Sequence, residues 1–224
     1  LRALHVFFHP QTSWMTREGM VAMPLMLVGV LTLWLQWLGL VLTLGLLAAV
    51  FLYCQARILH AARGIPVWRT PRIVPLIITT GVAEGASVFL VILPLLTADT
   101  LAGAERAAQV LLLAFAVLRF GAWRSYRSGL EGDAPLAALA VLKSSETVVS
   151  VIGSLVPATL IVGALMVPRY ATELGLVAGL LAAISGWFLK YVIITRASYN
   201  QGYALEHTPA RGGGASGPGT KPGW

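Results

Sequence analysis

Six uninterrupted apolar runs, at 19–38, 40–60, 74–96, 107–127, 147–167 and 174–195, leave this chain few structures to adopt. A bilayer core of ~30 Å is crossed by about 20 apolar residues as a helix. Inside hydrocarbon every backbone N–H and C=O must find a partner within the protein, which only helices and closed barrels provide. The runs are about twice the length of barrel strands. The expected class is therefore all-α, a polytopic transmembrane bundle with six helices in this chain. The first two runs are contiguous. As a single helix rising ~1.5 Å per residue they would reach ~60 Å, about twice the bilayer core. The chain is thus expected to fold back near Trp37 to Gly39.

Composition argues the same way. Hydrophobic residues make up 57 % of the 224 and charged residues 11 %, against roughly 25 % charged in an ordinary soluble domain. The mean hydropathy is +0.79. The net charge of +7 does not point to nucleic acid. The basic residues stand between membrane-length runs, where they flank bilayer segments. With six helices, one side carries fourteen of them: Arg2, Arg17, Arg57, Arg63, Arg69, Arg72, Arg119, Arg124, Arg127, Lys143, Lys190, Arg196, Arg211 and Lys221. The other side carries Arg106 and Arg169. That bias places the basic loops and the C-terminus in the cytoplasm of a bacterial inner membrane. The bundle is read over 1–207 and the Gly/Pro-rich tail over 208–224 as disordered. Loop 128–146 is read as a connection carrying a short surface helix. No signal peptide is visible. Because the chain begins at Leu1 rather than Met, an N-terminal part is expected before it.

Side chains able to carry chemistry are few. Cys54 is the one cysteine, so no internal disulfide or iron–sulfur cluster is expected in this chain. Of His5, His9, His60 and His207 only His60 touches an apolar run, at its end, so no haem is expected either. No motif points to another metal. Three polar stripes follow i, i+4, i+7 spacing: Tyr53–Arg57–His60, Arg119–Trp123–Tyr126 and Arg196–Asn200–Tyr203. They fit either a polar pocket at the cytoplasmic surface or snorkelling arginines in an aromatic belt. Glu18 opens the first helix after Ser13-Trp14-Met15-Thr16-Arg17, as a proton carrier or as a first-turn acid facing the helix dipole, with Ser13 or Thr16 as cap. Glu84 lies mid-helix within Gly81-Val-Ala-Glu-Gly85. Small residues at that spacing let helices approach, and with no basic partner evident Glu84 is read as a protonated, structural acid.

These segments resemble the membrane-anchor subunit of the dimethyl sulfoxide reductase family. Leu1-Arg2-Ala3 resembles the end of that family's H-L-G-x-P-x-R-A loop, and Ser13-Trp14-Met15-Thr16-Arg17-Glu18 its S-W-x-S-R-E entry to the next helix. Tyr53 and Arg57, then Pro66-Val67-Trp68, resemble its Y/R helix end and P-x-W. Arg196-Ala-Ser-Tyr199-Asn-Gln-Gly202 resembles the end of its last helix.

The resemblance implies an eight-helix anchor that binds menaquinone or ubiquinone and holds no redox cofactor itself. It implies a ferredoxin-like partner with four [4Fe–4S] clusters and a molybdopterin catalytic subunit carrying a molybdenum or tungsten bis-pterin. Two helices and a site histidine would precede Leu1. Motif loops on the cytoplasmic side fit the phenylacetyl-CoA:acceptor oxidoreductase branch. On this footing the chain passes electrons between the quinone pool and the iron–sulfur subunit. Glu18 relays protons, and Trp14, Arg17, Tyr53, Arg57, His60, Arg196 and Tyr199 bind quinone. The rival expectations are a secondary transporter or channel coupled through Glu84, and a purely structural anchor.

Overall fold

The computed structural model describes residues 13–95, 102–132 and 134–199, together with Gln11. His5, His9, Asn200, Tyr203, His207 and the tail 208–224 lie outside the described residues. Within them the chain is all-α and has six helices long and apolar enough to cross a membrane. These are α1 Trp14–Leu35, α2 Leu38–Ala61, α3 Ile73–Leu95, α4 Gly103–Ser128, α5 Leu136–Met166 and α6 Pro168–Arg196. The protein is a multi-pass membrane protein.

The chain divides into two compact units, residues 1–62 and 63–224. The first is the hairpin of α1 and α2. α1 begins at Trp14, five residues before the apolar run, because Ser13 caps it: the Ser13 hydroxyl accepts the Thr16 N–H at 3.3 Å. Glu18 is consequently the fifth helical residue and not a first-turn acid, which removes the helix-dipole alternative. The fold-back comes slightly earlier than expected. Gln36 takes a left-handed conformation, φ 49°, and its N–H closes on the Thr32 carbonyl at 3.0 Å. Trp37 is extended and α2 starts at Leu38. The outward face of this hairpin is apolar, with Met23, Leu33 and Trp34 all largely exposed, as lipid-facing helices require.

The second unit packs α3, α4, α5 and α6 around Ala83, Leu90, Leu112, Ile161, Ala178 and Ala182. The close approach comes from small residues on α6. A Cβ placed on Gly179 would lie 2.8 Å from the Ser87 carbonyl oxygen of α3. By contrast a Cβ on Gly85 would meet nothing within 4 Å, so the packing expected of Gly81-x-x-x-Gly85 does not occur at its second glycine. The Gly175-x-x-x-Gly179 spacing on α6 serves instead. The segment 128–146 is likewise less of a loop than expected, since α5 already begins at Leu136.

Two stretches widen from α to π geometry, Thr147–Leu155 in α5 and Val192–Arg196 in α6. The first has a local cause. Pro157 lacks an N–H and its ring crowds the carbonyl four residues back, that of Gly153. The chain answers with five-residue bonds, and the Val156 N–H bonds to the Val151 carbonyl. Tyr126 and Trp68 tie the ends of the unit together. The Tyr126 hydroxyl donates to the Val67 carbonyl at 2.9 Å, and the Trp68 indole N–H to the Ile193 carbonyl at 3.1 Å.

Candidate functional site

Five of the residues singled out in the sequence meet in the first unit. Trp14 is the first residue of α1, and Arg17 follows it by three positions, on the same helix face. The Arg17 guanidinium stands 4.2 Å from the indole centroid. Arg57, from the far end of α2, stands 4.7 Å from the same centroid. Tyr53, one turn before Arg57, meets the indole edge-on at 5.7 Å. Two cations and a phenol therefore share one aromatic platform. Each cation–π contact contributes about 0.5–2 kcal/mol, according to its exposure.

Glu18 lies one residue beyond Arg17 and is half-buried. Its Oε1 accepts a short hydrogen bond from the Gln55 side-chain amide. Gln55 was not singled out by the sequence reading. Its signal was there: a lone amide between Tyr53 and Arg57 in an otherwise apolar helix. The bond orients the carboxylate and leaves lone pairs on both oxygens for a proton or a donor. Arg17 also donates to the Gln11 carbonyl at 2.9 Å. The Arg57 Nε is buried and has no hydrogen-bond partner among the described residues. A buried guanidinium donor left unpaired costs free energy that a bound acceptor oxygen would restore.

The remaining predicted residues are placed differently. His60, the penultimate residue of α2, is half-buried. Arg196 and Tyr199 belong to the second unit, Arg196 exposed at the last position of α6 and Tyr199 half-buried three residues on.

The stripe Arg119–Trp123–Tyr126 is neither a snorkelling cation nor an aromatic belt. Arg119 is 1 % exposed and the two aromatics 0 %. Arg119 Nε donates to the Ser154 hydroxyl, one terminal nitrogen to the Ala182 carbonyl and the other to the Ser185 hydroxyl, each at 3.2 Å. A Cβ on Gly153 would fall 2.8 Å from that guanidinium and 2.1 Å from the Ser185 hydroxyl, so glycine there is a steric necessity. Glu84 also departs from expectation, because it has a basic partner: Lys190 Nζ lies 2.5 Å from its Oε2. Of the basic residues grouped with the helix ends, Arg119 is buried within α4 and Lys190 is paired with Glu84.

No group of three or more His, Cys, Asp or Glu suited to a metal occurs among the described residues. No protein-family model, curated protein or solved structure matches this chain.

Proposed function

We propose that this protein is the quinone-reactive anchor of a molybdenum- or tungsten-pterin oxidoreductase, passing electrons between a membrane quinone and an iron–sulfur partner. The observation that carries the reading is the cluster in the first unit: Glu18 held by Gln55, beside Trp14 with Arg17 and Arg57 over its ring and Tyr53 at its edge. A quinone needs a flat apolar contact, donors for its carbonyl oxygens and a group that exchanges protons with water. Trp14 offers the first, Arg57 and Tyr53 the second, and Glu18 the third. Glu18 is the fifth residue of a membrane-length helix, which supports access to it from both water and lipid. Interconverting quinone and quinol takes two electrons and two protons: a partner's iron–sulfur cluster would supply or accept the electrons, and Glu18 would carry the two protons one after the other between water and the quinone oxygens.

The basic-residue bias supports a cytoplasmic position for this cluster and for the C-terminus in a bacterial inner membrane. A reporter fused after Trp224 is expected to be active only as a cytoplasmic fusion. Activity of a periplasm-dependent reporter would reverse the orientation. The partners, a four-cluster ferredoxin-like subunit and a pterin catalytic subunit, would dock on that same face.

The decisive experiment is Glu18→Gln in the full complex. It keeps size and hydrogen bonding but removes the exchangeable proton. Quinone-linked turnover should fall at least tenfold while turnover with an artificial dye at the catalytic subunit is retained. Wild-type quinone turnover in an assembled variant would sink the reading. Ion-coupled transport is favoured by one feature only, the intramembrane Glu84–Lys190 pair. Under the quinone reading Glu84→Gln leaves quinone turnover nearly unchanged, and a solute flux abolished by that variant would favour transport.

A further inference from the structure

The link between α2 and α3 carries Arg63, Arg69 and Arg72, yet it is not a free loop. Its short helical turn Pro66–Trp68 is held on two sides. The Tyr126 hydroxyl of α4 donates to the Val67 carbonyl, and the Trp68 indole to the Ile193 carbonyl of α6. Pro66 and Val67 are buried. Two of the arginine side chains are fixed as well. Arg72 Nη1 donates to the Ser125 carbonyl at 2.9 Å and to the Ser128 hydroxyl at 2.8 Å, on the last turn of α4. Arg69 Nε donates to the Arg63 carbonyl at 2.6 Å.

Gly129 shows how closely Arg72 is fitted. A Cβ there would lie 2.8 Å from Arg72 Cδ and 3.0 Å from its Nη1. Gly129 does not adopt a positive φ, so the turn makes no demand for glycine, whereas the Arg72 side chain does. Here a cleft of about 360 Å³ opens, lined by Arg69, Thr70 and Arg72 together with Pro66, Pro71 and Leu130. Both arginines are exposed, so the cleft is reached from outside the bundle. Neither has a carboxylate within ion-pairing distance among the described residues, Glu131 included. The bonds made leave Nη2 of Arg72 and both terminal nitrogens of Arg69 for an acceptor. Capping the end of α4 accounts for the place of Arg72 alone, and not for Arg69 in the same cleft.

Charge and position select the occupant. Two cations without an acid favour an anion, and the paired N–H groups of a guanidinium match the oxygens of a phosphate. α3 has 23 residues and α4 has 26. At ~1.5 Å per residue they measure ~35 and ~39 Å, longer than the ~30 Å hydrocarbon core, so their ends reach into the headgroup layer. The cleft lies where α4 ends and α3 begins, at the level of the phospholipid phosphates. Basic pockets at helix ends are suited to anionic headgroups. We propose that this cleft binds the phosphate of an anionic phospholipid between the guanidinium groups of Arg69 and Arg72. Side chains already held by their own hydrogen bonds lower the ordering cost of that binding. The site belongs to the second unit and shares no residue with the cluster around Trp14. It stands whether or not the proposed function holds.

The test is native mass spectrometry of the full chain released from nanodiscs of phosphatidylcholine with a minority of phosphatidylglycerol. The chain is expected to retain phosphatidylglycerol in preference to phosphatidylcholine. Arg69→Gln and Arg72→Gln should each lower that retention about fivefold, which corresponds to about 1 kcal/mol per cation. Arg69→Gln gives up only one bond to a loop carbonyl, so it keeps the test open should Arg72→Gln fail to fold. Gly129→Ala keeps every charge but displaces Arg72, and should lower retention too. Arg63→Gln should leave it unchanged, because that side chain does not line the cleft. Three results would overturn the proposal: equal retention of the two lipids; retention that neither Arg69→Gln nor Arg72→Gln lowers; or an equal fall in Arg63→Gln, the mark of diffuse attraction to a basic face. Displacement of the lipid by inorganic phosphate would also overturn it, by assigning the cleft to a free anion. So would capture of another polypeptide by a photo-cross-linker at position 69 with no phosphatidylglycerol retained, which would show the cleft filled by protein.

Discussion

The pair between Glu84 and Lys190 permits a quantitative test of how this bundle holds intramembrane charge. At a separation of 2.5 Å and an effective permittivity of ~20, the gross attraction is about 6–7 kcal/mol. Desolvating the two ions offsets several kcal/mol of it. Lys190 is 35 % exposed and Glu84 17 %, so screening trims the remainder. Removing one partner nevertheless strands the other in the bundle. Such a loss runs to about 3–5 kcal/mol for a fully buried pair, and to about 2–3 kcal/mol at this exposure. The double variant removes both charges and should cost about 1–3 kcal/mol less than the sum of the singles. Reversible unfolding in mixed micelles, followed by tryptophan fluorescence, measures all four corners of the cycle. Additivity of the two single changes within about 0.5 kcal/mol would refute the reasoning.

Further outcomes follow from steric and aromatic contacts. Gly153→Ala should destabilise by about 1–3 kcal/mol, because its Cβ would overlap Ser185 and crowd Arg119. Gly85→Ala, whose Cβ meets nothing within 4 Å, should be neutral or stabilising by up to about 1 kcal/mol; the same unfolding assay ranks them, and a reversed order contradicts the packing described. Trp14→Ala removes the platform under both Arg17 and Arg57 and should weaken binding of a fluorescent quinone analogue about tenfold. Trp14→Phe should restore most of it, and equal loss in both variants would show that the ring serves no stacking role.

The residues brought together around Trp14 were legible in part, for a physical reason. Trp14 and Arg17 are three apart on one helix, and Tyr53 and Arg57 four apart on another, so local periodicity already groups each pair. Joining the two groups needed only a tight hairpin, and the contiguity of the first two apolar runs demands one, since a single straight helix would overrun the bilayer. Gln55 was missed because its role depends on which side chain of α1 it faces, and no spacing within α2 carries that information.

The sequence by itself determined the class. Apolar length and the need to satisfy backbone groups in lipid leave helices, and six runs became six helices. Helix ends were set by finer chemistry that hydropathy does not register: the Ser13 cap drew α1 back to Trp14, and α5 began eleven residues before its apolar run. Only the tertiary structure decided the state of the intramembrane charges. Glu84 and Lys190 are 106 positions apart, as Arg119 and Ser185 are 66 apart, and nothing local relates either pair. What unites them is the close packing of α6 against α3 and α5, made possible by glycines at 153, 179 and 186. In water such charges would remain solvated whatever the packing. In hydrocarbon the partner across the helix interface is their means of compensation, so their state is a property of the bundle rather than of the segment that carries them.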